Sequence, residues 1–189
     1  MKKKLSIQRL CAAALLIALG VVLPLFSPLK IVMPPASFTL ASHVAIFVAM
    51  MISPGVAAAV SVGTTLGFLF GGFPLVIVLR AATHVVFALL GAFHLKRRPA
   101  TLDAVFGVRV FSLVIGVTHA ACEVLVVTPF YFGGQMVEGY YQSGYLQAVI
   151  LLVGLGSVIH SMVDFELALL VARVLRKQKS FTNLIVSTT

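Results

Sequence analysis

Long apolar runs, separated by short breaks of proline, glycine or charge, organise the chain. The first run, IQRLCAAALLIALGVVLPLF, predicts a helix over about 7–26. It ends where Pro28, Pro34 and Pro35 rule out a regular helix, which leaves a loop over 27–37. Residues 38–70 contain no charged side chain. As one helix they would extend about 50 Å, well beyond the ~30 Å hydrocarbon core of a bilayer. Ser53-Pro54-Gly55 divides them into helices at about 38–52 and 54–70, with Pro54 suited to a first helical position. The turn GGFP at 71–74 opens a fourth helix, about 74–95, and the basic segment HLKRRPATLD closes it. A fifth helix is expected over about 102–127, stopping before Pro129. The Gly- and Tyr-rich stretch YFGGQMVEGYYQSG then leads to a long sixth helix over about 145–175 and a tail, 176–189.

Composition turns these helices into membrane spans. The chain has 189 residues, is 60% hydrophobic and only 10% charged, with a mean hydropathy of +1.11. A soluble domain carries about 25% charge. The continuous Ala/Leu/Val runs differ from the alternating ten-residue strands of an outer-membrane barrel. The expectation is an all-α integral membrane protein, a single six-helix domain over 1–189 embedded in a lipid bilayer. The basic, apolar N-terminus mimics a signal peptide. Its run is too long for that and no small-residue cleavage site follows, so it is expected to stay as the first span.

A net charge of +9 in a soluble protein would suggest nucleic acid. Here the charges sort by topology instead. Lys2, Lys3, Lys4 and Arg9 precede the first helix; Lys96, Arg97 and Arg98 follow the fourth; Arg173, Arg176, Lys177 and Lys179 end the sixth. The positive-inside rule puts all of these in the cytoplasm, with both termini, and no nucleic-acid partner is expected. Cys11 and Cys122 lie in apolar runs without a CxxC spacing and read as free core thiols.

Candidate chemistry lies in three pairs spaced i,i+4, each on one helix face: Arg80/His84, His119/Glu123 and His160/Asp164. Ionisable groups inside a membrane are costly unless paired or wet, so these face the bundle interior. Counting from the outer helix ends puts Arg80 roughly 9 Å deep and Glu123 level with it. His84 and His119 come out one turn deeper, and His160 and Asp164 deeper still, as an internal helix lock. Gln147, at the top of the sixth helix, and His43, at the top of the second, can join the outer four. Gly72 would let a ligand approach the backbone. Two readings stay open: a ligand pocket that opens outward, or a structural Arg80–Glu123 ion pair. A histidine metal site is not expected, because the histidines lie on different helices at differing depths and no HExxH occurs. No cofactor is expected.

Small residues recur at Gly55, Ala59, Gly63, Gly67 and Gly71, a surface for close helix packing. The first helix carries an AxxxA at Ala14 and Ala18. There is no GxxxxGK[ST] phosphate loop, so the chain cannot hydrolyse ATP alone.

The basic N-terminus, the Ala14/Ala18 motif, the proline-bearing loop after the first helix, the six helices and the long loop before the sixth form a pattern over residues 5–177. It resembles the substrate-binding S components of energy-coupling factor (ECF) vitamin transporters. The resemblance implies capture of a vitamin from outside under a lid formed by the first loop. It also implies association with a membrane T subunit and two cytoplasmic ATPases, with Ala14 and Ala18 facing the T subunit. Arg80 favours a carboxylate vitamin, because a guanidinium matches a carboxylate bidentately. Pantothenate, niacin, biotin and folate all qualify, and the further hydrogen-bonding groups favour pantothenate. The alternatives are a membrane enzyme using His119 and Glu123 as base and acid, or a scaffold subunit whose polar pairs only hold helices together.

Overall fold

The computed structural model describes residues 7–28, 30–33, 36–136 and 138–177. The lysines at 2–4 and the tail from 178 onward, which includes Lys179, lie outside these residues. Seven α-helices are described: α1 (Ile7–Phe26), α2 (Val44–Ile52), α3 (Pro54–Phe70), α4 (Leu75–Arg97), α5 (Val105–Phe132), the short α6 (Gly139–Gln142) and α7 (Gly156–Leu175). A π-helix, Leu146–Leu155, runs directly into α7. A hairpin of β1 (Lys30–Met33) and β2 (Ala36–Thr39) follows α1, in antiparallel register with Lys30 opposite Thr39.

Four stretches among the described residues are long and apolar enough to cross a membrane: Ile7–Phe26, Leu75–Arg97, Val105–Phe132 and Leu146–Leu175. α3, with 17 residues, is somewhat shorter. α2 has nine residues, about 14 Å, against the ~30 Å of the hydrocarbon core. The expected helix over 38–52 is therefore corrected. Its first residues pair as β2, Ala41 takes a left-handed φ of 69°, and only Val44–Ile52 winds into helix. The expected loop over 27–37 is largely this hairpin.

The break at Ser53 stands where Pro54 suggested. Ser53 is extended, its hydroxyl accepts the Val56 N–H at 3.3 Å, and Pro54 opens α3. The fifth helix does not stop before Pro129 but continues to Phe132. Proline removes one helical N–H, while the Thr128 hydroxyl bonds the Val124 carbonyl at 2.7 Å and Gly133 N–H bonds the Pro129 carbonyl at 2.9 Å. The turn is thus kept closed.

Packing pairs give the direction of each helix. Gly63 meets Ile17 and Gly67 meets Val21, so α1 and α3 run parallel, and these two members of the small-residue stripe pack within the chain while Gly55, Ala59 and Gly71 are exposed. His43 meets His84 and Phe47 meets Phe87, so α2 and α4 also run parallel. Glu123 meets Ser157 while Gly116 meets Met162, so α5 and α7 are antiparallel. These directions bring Arg9, Lys96, Arg97 and Arg173 to one end of the bundle.

α2 is the axis of the core. Every residue from Ala45 to Ile52 is buried, with Phe47 packed against Phe87 and edge-on to Phe165. α1 is the opposite case: it buries only Ala13 and Gly20, and Leu10, Leu15, Leu19 and Leu25 face outward. Cys11 is exposed on this helix, which corrects its placement in the core. Tyr131, Phe132, Tyr141 and Tyr145 make an aromatic cluster beside the stretch before the π-helix, with ring centroids 5.0–5.5 Å apart.

Candidate ligand-binding site

A cavity of about 140 Å³ opens under the hairpin. Hairpin and turn supply Phe38, Thr39, Ser42 and His43; α3 supplies Thr64 and Phe68; α4 supplies Ile77, Arg80 and His84; α5 supplies His119 and Glu123; α7 supplies Ser157 and His160. Pro24 and Phe73 also line it. Phe68 and Phe73 stack at 4.6 Å, giving one wall an aromatic face.

α4 and α5 are antiparallel neighbours joined by a short connection, and Arg80 and Glu123 stand nearly the same number of residues from it. That register brings them together. Arg80 Nε and Nη2 donate to the two carboxylate oxygens of Glu123, each at 3.0 Å. The Ser157 hydroxyl also donates to Glu123. The same carboxylate lies 3.4 Å from His119 Nε2 and 3.8 Å from His84 Nε2. A guanidinium has five N–H groups, and this side-on pair uses two. The ion pair therefore forms, and Arg80 also lines the cavity.

Asp164 does more than lock two helices. It is fully buried, and its oxygens accept the N–H of Ala41 at 2.7 Å and of His43 at 2.9 Å, with His43 Nδ1 at 3.1 Å. A carboxylate placed before the first turn of α2 satisfies donors the helix cannot and complements its dipole. It also fixes the left-handed turn at Ala41 that brings the chain from hairpin to helix. His160 lies in the cavity wall, its Nε2 3.1 Å from Ser42 Oγ and its ring 5.0 Å from that of His43. Its expected place deeper than Arg80, Glu123, His84 and His119 is thus corrected.

Arg80, His84, His119, Glu123 and His43 converge as a group. Gln147 does not join them. It is exposed, because in the π-helix Ala148, Val149 and Val153 turn inward instead. Gly72 is also exposed and off the cavity wall. Its φ of 74° makes the α3–α4 turn, which presents Phe73. Ala14 and Ala18 lie on the outward face of α1. Ser42, Thr64, Ser157 and the aromatic wall were not among the expected site residues. Ser157 and His160, three apart on the face of Asp164, were a legible sign; Thr64 had none.

Gly156 ties the hairpin to the bundle. A Cβ there would come within 2.7 Å of Phe38 Cζ, and Phe38 packs on His160 at 5.5 Å. Gly156→Val should push Phe38 and the hairpin off the cavity. Overpacking costs about 1–3 kcal/mol, so ligand affinity should fall about ten-fold or more while the bundle stays folded. Calorimetric titration with a thermal-unfolding control checks this.

Comparison with known proteins now bears on the site. The chain is 41% identical over 175 residues to the niacin transporter NiaX of Lactococcus lactis subsp. cremoris (strain MG1363), covering 93% of this chain and 78% of that protein. The chain belongs to this S-component family of transporters. It is a multi-pass protein of the cell membrane and a transport subunit rather than an enzyme. No family profile and no solved structure matches it.

Proposed function

We propose that this chain is the niacin-binding subunit of an ECF-type importer, taking nicotinate into the cavity beneath the hairpin. The cavity's size carries the choice of ligand. At about 140 Å³ it is close to the roughly 150 Å³ engineered cavity that accommodates one benzene ring. Nicotinate is one aromatic ring with one carboxylate. Pantothenate, the ligand the sequence favoured, is an extended chain, and biotin and folate are larger still.

Each part of nicotinate has a counterpart in the wall. The unspent edge of Arg80 suits the carboxylate, a charge-assisted pairing in a desolvated site. Phe38, Phe68 and Phe73 suit the ring faces. Thr64 Oγ1, buried and making no hydrogen bond among the described residues, is a donor available to the ring nitrogen. Glu123 does not repel the anion as a free carboxylate would, because Arg80 and Ser157 already hold it. The outward face of α1, with Ala14 and Ala18, is available to a membrane T subunit, and the cytoplasmic ATPases would supply the energy this chain cannot.

Titrating the purified chain with nicotinate, nicotinamide and pantothenate tests the reading. Nicotinate should bind tightly. Nicotinamide should bind about 10–100-fold more weakly, since a charge-assisted pair worth about 1.5–3 kcal/mol is lost. Equal affinity for the amide, or a preference for pantothenate, would refute it.

A further inference from the structure

The cavity contains a second arrangement that the carboxylate reading leaves unused. His43, His84 and His119, from the start of α2, from α4 and from α5, each offer a ring nitrogen, and the three nitrogens lie within 4.8 Å of one another. Their rings meet edge to face with centroids 4.7–4.9 Å apart. All three are buried, His119 with 1% of its surface exposed. Among the described residues neither nitrogen of His119 makes a hydrogen bond, and neither does His84 Nε2, with the Glu123 carboxylate 3.4 Å from His119 Nε2 and 3.8 Å from His84 Nε2. Burying polar atoms without partners is costly. Two elements, α4 and α5, bring such atoms to one point beside the His43 ring, which is not a packing accident to be expected of an apolar bundle.

His43 carries the independent sign. Asp164, acceptor-only as a carboxylate, lies 3.1 Å from Nδ1, so Nδ1 holds the proton and Nε2 keeps its lone pair. A carboxylate behind a histidine is the usual outer partner of a metal-bound imidazole, fixing its tautomer and raising its basicity.

We propose that His43, His84 and His119 bind one divalent transition cation of the zinc class, with an open position toward the cavity. An all-imidazole donor set suits zinc, nickel, copper or iron. Three histidines with a fourth position left free is a familiar open zinc geometry. Ligands about 2.1 Å from a tetrahedral zinc stand about 3.4 Å from each other, so modest side-chain rotation closes the site. The second possible trio, His43, His160 and Asp164, is the weaker one, because Asp164 is committed to the backbone N–H groups of α2. A carboxylate oxygen can fill the open position. That last step rests on the nicotinate reading, whereas the cation itself does not.

The test uses the full chain in detergent, free of any histidine tag and stripped with a chelator. Zinc or cobalt(II) is added, excess is removed, and bound metal is counted by mass spectrometry. One equivalent per chain is expected, with the visible bands of tetrahedral cobalt(II). His119→Ala and His84→Ala should each weaken uptake at least ten-fold, with folding confirmed by circular dichroism. His94→Ala, at the far end of α4, should keep full uptake. No uptake by the stripped chain, or uptake indifferent to His119→Ala, overturns the cation site. Nicotinate titration of the same samples separates the two readings. Nicotinate binding without metal uptake leaves the vitamin and removes the cation. One equivalent of metal without nicotinate binding does the reverse.

Discussion

Arg80→Ala is expected to unfold the bundle as well as abolish ligand binding. The substitution leaves Glu123, only 4% exposed at its side chain, without its bidentate partner. Removing one member of a buried ion pair costs about 3–5 kcal/mol, a large part of an ordinary domain's stability. Loss of binding in this variant would therefore say little about the pocket. Arg80→Lys separates the two effects. An ammonium keeps the charge beside Glu123 but has no planar fork, so it cannot serve Glu123 and a ligand carboxylate together. Thermal unfolding should be nearly normal in Arg80→Lys, while nicotinate affinity falls by about 100-fold. Unaltered affinity in a folded Arg80→Lys protein would exclude this arginine from ligand recognition.

The second large effect is expected at Asp164, which no ligand needs to touch. Asp164→Ala leaves two backbone N–H groups and the His43 ring without their acceptor at the start of α2. Charge-assisted hydrogen bonds are worth about 1.5–3 kcal/mol each, and α2 is the element against which the whole core packs. Asp164→Ala should fail to accumulate as folded protein. Asp164→Asn retains one acceptor oxygen and should fold with a lowered unfolding temperature and weakened nicotinate binding. A thermal melt of Asp164→Ala indistinguishable from the parent would show that the turn at Ala41 holds itself.

Much of this was legible because membrane helices announce their ends. The bounds 7–26 and 54–70 follow from Pro28 and from Ser53-Pro54, and the structure keeps both. The meeting of Arg80 with Glu123 follows from antiparallel register across a short connection. What failed was depth, since a residue's distance from its helix end locates it only if the ends are level. α5 runs past Pro129, so Glu123 and His119 sit farther from its end than the count allowed. The membrane-crossing stretch Leu146–Leu175 begins as a π-helix, whose i→i+5 bonding rotates faces away from an α-helical wheel. Hence Gln147 was aimed inward and His160 too deep. The hairpin was hidden for another reason. An uncharged run such as SFTLASHVAIF suits strand or helix equally, and a carboxylate more than a hundred residues away decides where the helix begins.

That carboxylate also links the hairpin to the cavity wall. The hairpin leads into Ala41-Ser42-His43, and Asp164 holds Ala41 and His43 while orienting a ring in the cavity wall. A ligand that grips the His43 ring better with the hairpin in this position would favour that position by the same coupling free energy, and the reverse holds by thermodynamic reciprocity. Release of a bound ligand would then need no separate latch. A distortion that draws α7 away from α2 would unfasten the hairpin and weaken the grip on a ligand in a single movement.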